Sequence, residues 1–334
     1  METPNNETNE EALAFTNRID LSQLQESVFN IKKQLQKVIV GQKEMIDLLL
    51  VALLSDGHVL IEGVPGVAKT ITAKLLSKTI AVDFSRIQFT PDLMPSDILG
   101  TSVFNAKISD FEFKKGPIFS NMVLIDEINR APAKTQAALF EVMEEKQITM
   151  DGVRYEMNAP FMVLATQNPI EQEGTYRLPE AQLDRFLFKI VVDYPTAEDE
   201  LEIVIREQAL KNTTKDEKIE TIIKDEEIIN FRKLIHEVNI EENLLKYITN
   251  VVVNTRSNAQ LYLGASPRAT IAILNASKTF AAIEGRDFVT PEDIKKAAIP
   301  VLQHRVIVTP EREMEGVTSK QIIEQIIESV EIPR

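Results

Sequence analysis

A glycine-containing loop between a short apolar run and a helical pattern restricts this chain to a small set of folds. The apolar run covers residues 59–61, and the helical pattern has apolar positions at 71, 75 and 76. In such a loop the backbone N–H groups turn toward phosphate oxygens, and the following helix N-terminus favours the same negative charge. We expect Lys69 to contact the β- and γ-phosphates and Thr70 to bind Mg²⁺. The complete phosphate loop comprises Gly63, Val64, Pro65, Gly66, Val67, Ala68, Lys69 and Thr70.

Ala68 departs from the usual phosphate-loop pattern, in which glycine precedes the lysine. Because a side chain disfavours left-handed backbone, we expect Ala68 to have a negative φ if the loop forms. The loop alone leaves a strand-turn-helix without a ligand as an alternative.

Two acidic residues follow the next strongly apolar run, at residues 122–125. Asp126 and Glu127 would then lie at the carboxyl end of a parallel strand, where sites in open α/β sheets form. We expect Asp126 to hold the Mg²⁺ shell and Glu127 to activate the attacking water. A solvated acidic turn is the alternative for an isolated Asp-Glu pair. Asn168, just beyond a third apolar run at 161–165, could position the water, although an Asn-Pro turn is its alternative.

Short apolar runs alternate with helical segments along the first part of the chain, which predicts a doubly wound parallel α/β sheet. After Pro195 the strand signals stop, and helix starts appear at Ser266-Pro267 and Thr290-Pro291. We therefore expect a disordered acidic tail (1–20), a nucleotide-binding domain (21–195) and a smaller all-helical lid domain (196–334). The polar segment 212–225 is expected to be a long exposed connection. The predicted strands are 59–61, 86–89, 123–125, 161–165 and 186–192.

Two insertions between the strands are predicted to be hairpins. Asp151-Gly152 is a two-residue turn signal, and pairing outward from it puts Met150 opposite Val153 and Ile148 opposite Tyr155. These four apolar side chains would share one face. Residues 102–115 show a weaker alternation around Phe111 and Phe113.

The composition of the chain restricts the cellular compartments and the classes of partner that are expected. The formal net charge of -14 disfavours nucleic acids and anionic membranes. The chain has no cysteine and three histidines, so disulfides and thiolate metal sites are excluded. The most apolar run, 46–54, is too short to cross a bilayer and predicts a buried helix. With its polar, acidic start, the chain is expected to be cytoplasmic and not inserted in a membrane.

Four further strings strengthen the case for a nucleotide site, and the chain resembles the MoxR group of the AAA+ superfamily over residues 40–305. This group also tends to carry alanine before its lysine, as Ala68 does here. The strings are VGQ at 40–42, TPDLMPSD at 90–97, DEINRAP at 126–132 and LPEAQLDRF at 178–186.

The resemblance implies roles that spacing cannot assign. Asn168 would be sensor 1, Arg268 sensor 2, and Arg185 an arginine finger that reaches the nucleotide of a neighbouring subunit. Gly41 and Gln42 would lie near the adenine. The resemblance also implies a homo-oligomeric, six-membered ring that binds ATP and Mg²⁺, hairpins directed toward a pore or client, and partner proteins with a von Willebrand factor A domain. Arg130 would face the subunit interface.

Alternatives remain for both arginines and for the function. Arg268 is predicted in the first turn of a helix, where an anion would relieve the conflict with the helix dipole, but simple exposure to solvent is equally compatible. Arg185 could instead form a surface ion pair with Asp184 or Glu180. The favoured function is ATP hydrolysis coupled to remodelling of a partner protein. The rivals are an assembly switch with negligible turnover and a DNA-remodelling AAA+ protein; a GTPase is disfavoured because the sequence has no Asn-Lys-x-Asp segment.

Overall fold

A five-stranded parallel sheet organises the first domain of the computed structural model, which describes residues 19–107, 109–168, 175–209 and 219–332. Residues 1–18 of the expected tail and residues 212–218 of the expected connection lie outside these ranges. The sheet strands are β1 (His58–Gly63), β2 (Phe84–Gln88), β5 (Met122–Asp126), β8 (Met162–Gln167) and β9 (Phe186–Val192), in the order β2-β5-β8-β1-β9.

Helices cover both faces of this sheet. On β1, Val59 and Ile61 join one buried cluster, whereas Leu60 joins another. Strands buried on both faces are continuous apolar runs, which is why β1, β5 and β8 were legible in the sequence. The doubly wound α/β prediction is therefore confirmed. The helices of this part are α1 (Ser22–Gln36), α2 (Lys43–Leu54), α3 (Lys69–Thr79), α4 (Pro95–Leu99), α5 (Ala133–Glu145), α6 (Glu180–Leu183) and α7 (Ala197–Ala209).

The second part is a helical lid that packs against the first. Ser266 caps its helix by accepting a hydrogen bond from the Arg268 N–H, and Thr290 forms a capping box with Asp293, so both predicted helix starts are confirmed. Buried lid side chains and those of α1 and α2 belong to one cluster. The lid helices are α8 (Asp225–His236), α9 (Glu242–Ser257), α10 (Pro267–Ile283), α11 (Pro291–Leu302), α12 (Pro310–Met314) and α13 (Ser319–Ser329).

Two details of the lid differ from the sequence-based expectation. The lid is not entirely helical, because β10 (Leu261–Leu263) pairs antiparallel with β11 (Ile307–Val308). Segments this short contain too few residues to show a strand period. The expectation of an exposed connection at 212–225 holds in part where the structure describes it, because Glu220, Thr221, Lys224 and Asp225 are exposed whereas Ile219 and Ile223 are buried.

Both predicted hairpins form, and they pack on each other. The first comprises β3 (Gly100–Asn105) and β4 (Asp110–Lys115); the second comprises β6 (Gln147–Met150) and β7 (Val153–Glu156), with the predicted register. The Phe113 and Tyr155 ring centroids are 4.6 Å apart, and Ser102 Oγ hydrogen-bonds Asp151. The predicted apolar face of the second hairpin is unequally covered, because Ile148 is buried whereas Val153 is 52% exposed.

The apolar run at 46–54 lies in α2, where each of its residues except Asp47 is buried, as predicted. Among the described residues, every helix is either too short or too polar to span a bilayer.

Candidate active site

The phosphate loop joins the end of β1 to the start of α3. Gly66 and Ala68 both have left-handed backbone, with φ of 89° and 62°. The expectation of a negative φ at Ala68 is therefore wrong: the chain must turn at this residue to begin α3, and the loop holds alanine in a conformation that costs a side chain about 1–2 kcal/mol. Lys69 Nζ donates to the Gly63 carbonyl oxygen at 2.5 Å and so closes the loop on itself.

This strain predicts that Ala68→Gly stabilises the protein. Relief of the left-handed penalty, less the greater backbone entropy that glycine loses, should raise the free energy of unfolding by up to about 1 kcal/mol. Ala137→Gly, at an exposed position inside α5, is the matched control and should lower it by about 1 kcal/mol. Urea unfolding of both variants measures these changes. An equal loss of unfolding free energy in the two variants would contradict left-handed backbone at Ala68.

Lys69 lies close to three carboxylates. Burial lowers the pKa of Lys69, and the negative charges of Asp126, Glu127 and Glu62 oppose that shift. The loop lysine therefore faces the two acidic residues that the sequence analysis assigned to the same site.

The two acidic residues are held by polar groups from neighbouring strands. Asp126 is 7% exposed; its Oδ2 accepts from Arg86 Nε at 2.6 Å, and its Oδ1 accepts from Thr166 Oγ1 at 3.2 Å. Glu127 Oε2 accepts from Gln88 Nε2 at 2.8 Å. The backbone N–H of Glu127 donates to Thr166 Oγ1 at 3.0 Å, so one hydroxyl contacts both acidic residues.

Arg130 also contacts Glu127. Its Nε lies 3.0 Å from Glu127 Oε2, which pairs the arginine with a residue of its own chain. The resemblance instead implied a place at a subunit interface for Arg130. Sequence reasoning missed Arg86, Gln88 and Thr166; for Arg86 and Gln88 the available signal was their alternate positions on β2, which put both side chains on one face of the sheet.

Asn168, Gly41 and Gln42 lie at the same edge of the sheet as the phosphate loop. Gln167 is level with Glu62 in the parallel β8-β1 pair, so Asn168 follows at the level of Gly63. Gln42 Nε2 donates to the Asp193 carbonyl oxygen at 3.3 Å, just after Val192, which pairs with Gly63. A side chain at Gly63 would come within 2.6 Å of the Val192 carbonyl oxygen, so this close approach requires glycine.

Arg185 and Arg268 lie at the opposite edge of the sheet, where strands β1 and β9 begin. Arg185 directly precedes Phe186, which pairs with His58 at the start of β1. Five residues of strand separate His58 from Gly63, a distance of about 17 Å. The two arginines meet on α5: Arg185 Nη1 is 2.5 Å from Glu144 Oε2, and Arg268 Nη2 is 2.6 Å from Glu144 Oε1.

These contacts revise both alternatives for the arginines. The partner of Arg185 is Glu144, together with the Phe140 carbonyl oxygen at 2.6 Å, and not Asp184 or Glu180. Arg268 is exposed, with 51% of its side chain accessible, as its alternative expected, and it is also paired with Glu144. The fold brings the two arginines together and separates them from Lys69.

His58 anchors the end of α5 that carries Glu144. Its Nε2 lies 3.1 Å from the Met143 carbonyl oxygen, and its Nδ1 accepts from the Val163 N–H at 3.0 Å, so the ring is neutral. Burial lowers the pKa of His58 to about 4. Burial likewise lowers the pKa of His304, which lies in the lid and contacts the Phe186 carbonyl oxygen.

Because the pKa values of these buried histidines are lowered, we expect the protein to lose stability in mild acid. Because the unfolded histidine binds a proton near pH 6.5 and folded His58 only near pH 4, its stabilising contribution is complete above pH 6.5 and is lost as the pH falls. Between pH 7 and pH 5 the free energy of unfolding should fall by about 2 kcal/mol for His58 alone. Urea unfolding across this range should show a shallower pH dependence for His58→Gln, and an unchanged slope would contradict the assignment.

The fold and the site define the class of protein. The family described as "ATPase family associated with various cellular activities (AAA)" matches residues 58–188, and the AAA lid domain family matches residues 253–326. The chain is an AAA-class protein with a parallel-sheet core and a helical lid.

Similar proteins narrow this class. The chain is 44% identical to the uncharacterized protein YeaC of Bacillus subtilis (90% of this chain, 93% of the relative) and 40% identical to the chaperone MoxR1 of Mycobacterium tuberculosis (93% and 82%). A crystal structure from Cytophaga hutchinsonii, provisionally described as an ATPase, is 45% identical with a TM-score of 0.86, covering 93% of this chain and 97% of that one. The chain belongs to the MoxR family of AAA+ ATPases.

Proposed function

We propose that this protein hydrolyses ATP with Mg²⁺ in a homo-oligomeric, six-membered ring and uses the energy to remodel or mature a partner protein. The observation that carries the proposal is the position of Lys69, which follows β1, and of Asp126 and Glu127, which end and follow β5, at the carboxyl ends of two strands of one parallel sheet. Cation, metal ligand and base are the groups that phosphoryl transfer to water requires. A cytoplasmic location is part of the proposal, on the expectation from the sequence.

The donor set fits Mg²⁺, which prefers hard oxygen ligands. The Thr70 hydroxyl lies in the first turn of α3 and the Asp126 carboxylate at the end of β5. When bound, Mg²⁺ would neutralise charge on the phosphate oxygens. Asp126 is held in place for this role by Thr166, while Arg86 contacts its other oxygen.

Glu127 would take the proton of the attacking water, and Asn168 would orient that water. Glu127 Oε2 accepts a hydrogen bond from Gln88 and forms an ion pair with Arg130. To act as the base, the Glu127 carboxylate would exchange its hydrogen bond with Gln88 for one with the water. Gly41 and Gln42, at the same edge, would line the adenine.

Arg185 and Arg268 would act on the nucleotide of the adjacent subunit. Along β1, Arg185 starts about 17 Å from the phosphate loop of its own chain, beyond the reach of an arginine side chain, and Arg268 joins Arg185 on Glu144. A head-to-tail ring brings this edge of one subunit against the phosphate loop of the next. Arg185 is the arginine finger in this proposal, and Arg268 accompanies it.

The hairpins would contact the client, and proteins with a von Willebrand factor A domain are among the partners proposed. Of the aromatic residues on the two hairpins, Phe104 and Phe111 of the first hairpin are the exposed ones, at 55% and 67%, with ring centroids 5.5 Å apart. Tyr155 of the second hairpin packs on Phe113 and so joins the two hairpins.

Replacement of both Phe104 and Phe111 by serine should leave basal ATP turnover and stability unchanged. Stimulation of turnover by unfolded casein, or by a von Willebrand factor A domain protein, should be lost because the exposed apolar contact is gone. Tyr262→Ser, which removes an aromatic ring that is 77% exposed on the lid, is the matched control and should retain stimulation. Retained stimulation in the double variant would exclude this hairpin as the client contact.

The rival functions are separated by steady-state phosphate release from the purified protein. The proposal predicts turnover that requires Mg²⁺ and is unchanged by added DNA. Nucleotide binding without phosphate release would favour the assembly switch, and strong stimulation by DNA would favour the DNA-remodelling rival.

A further inference from the structure

Arg305, directly after α11, is a buried cation whose hydrogen-bonding capacity is fully used. Its side chain is 3% exposed, and it makes five hydrogen bonds, as many as a guanidinium has N–H groups. The acceptors are Asp184 Oδ1 at 2.7 Å and the carbonyl oxygens of Asp184 at 2.9 Å, Phe186 at 2.6 Å, Leu187 at 3.1 Å and Val301 at 2.6 Å.

These bonds fix the backbone on both sides of Arg185. The carbonyl oxygens of Asp184 and Phe186, the residues before and after it, accept from the same Nη2 of Arg305. The point from which the Arg185 side chain extends is therefore set by a residue of the lid.

The same cluster reaches Arg268. Asp184 Oδ2 accepts from Ser266 Oγ at 2.8 Å. Ser266 caps α10, and its Oγ also accepts from the Arg268 N–H at 3.2 Å. One carboxylate thus bridges Arg305 and the helix end that carries Arg268, while Glu144 joins the two guanidinium groups at their tips.

We propose that Asp184 and Arg305 are positioning residues that hold Arg185 and Arg268 at a fixed separation, so that both reach the nucleotide of the neighbouring subunit together. The inference rests on the trans role proposed above. It assigns Asp184 and Arg305 no part in nucleotide binding by their own subunit, whose phosphate loop lies at the other edge of the sheet.

Asp184→Asn tests this with little change in volume. Loss of the charge that faces Arg305 should shift Arg185, and a displacement of about 1 Å can cost about 100-fold in rate. We expect turnover to fall by about this factor while the affinity for a fluorescent ATP analogue is unchanged. Parental turnover in this variant would overturn the proposal.

Ser266→Ala tests the same proposal with a smaller perturbation than Asp184→Asn, and it has a matched control. It removes the bridge from Asp184 to α10 together with one helix cap, whereas Thr290→Ala removes the cap of α11, which does not touch Asp184. The two should lose similar stability, but only Ser266→Ala should lose turnover. Equal turnover in both would show that the bridge does not position Arg268.

Mixed oligomers separate a positioning role from general damage. Asp184→Asn subunits keep their own Lys69 and Glu127, so mixing with Glu127→Gln subunits, which supply intact arginines, should restore turnover. Mixing with Arg185→Ala should not, because neither subunit then supplies a placed arginine. The reference pair is Arg185→Ala with Glu127→Gln. Recovery there but not with Asp184→Asn would overturn this inference alone; failure of the reference pair would remove the trans role and the inference together.

Discussion

Glu127→Gln should abolish ATP turnover and leave nucleotide binding intact. The change preserves size and the hydrogen bond from Gln88 but removes the base, which typically contributes about 10² to 10⁴ in rate. Phosphate release and binding of a fluorescent ATP analogue are the two measurements. Parental turnover in this variant would show that Glu127 does not activate the water.

Lys69→Ala should instead abolish binding itself. The substitution removes the cation that contacts the β- and γ-phosphates, together with the bond that closes the loop on the Gly63 carbonyl oxygen. Lys74→Ala, at an exposed position of the same helix, is the matched control and should bind ATP as the parent does. The contrast between the Lys69 and Glu127 variants separates binding from chemistry within one site.

Arg185→Ala should bind ATP but be nearly inactive. An arginine at the γ-phosphate contributes about 10³ to 10⁵ in rate, whereas a surface ion pair contributes almost nothing to chemistry. Arg177→Ala, where the side chain is 85% exposed, is the control and should be fully active. If Arg185→Ala loses stability but retains turnover, its contact with Glu144 is structural only.

Local patterns explain what the sequence could predict. Strands β1, β5 and β8 are legible because a buried parallel strand is a continuous apolar run, and the register of the second hairpin follows from the Asp151-Gly152 turn. The loop and the Asp126-Glu127 pair are contiguous in sequence, so their chemistry shows directly. The same locality made α2 predictable.

Contacts between distant segments explain what remained hidden. Arg86 and Gln88 reach Asp126 and Glu127 across neighbouring strands, and nothing along β2 itself names those partners. Glu144 of α5 pairs with two arginines from different domains, and it belongs to no motif that would have indicated this role.

Ala68 shows the limit of a steric rule. The preference of alanine for negative φ is real, but it amounts to about 1–2 kcal/mol, which the rest of the loop can offset. The left-handed backbone at this position follows from the connection between β1 and α3 and not from the residue type.

Mixing Arg185→Ala with Glu127→Gln tests the central claim most directly, namely that each hydrolytic site combines Glu127 of one subunit with Arg185 of the next. Each variant alone should release almost no phosphate. At a constant total concentration and varying ratio, turnover should be greatest near equal mixing and vanish at both extremes, because only junctions between the two variants hold an intact pair. No recovery in oligomers shown to contain both variants would contradict the claim and confine Arg185 to its own subunit.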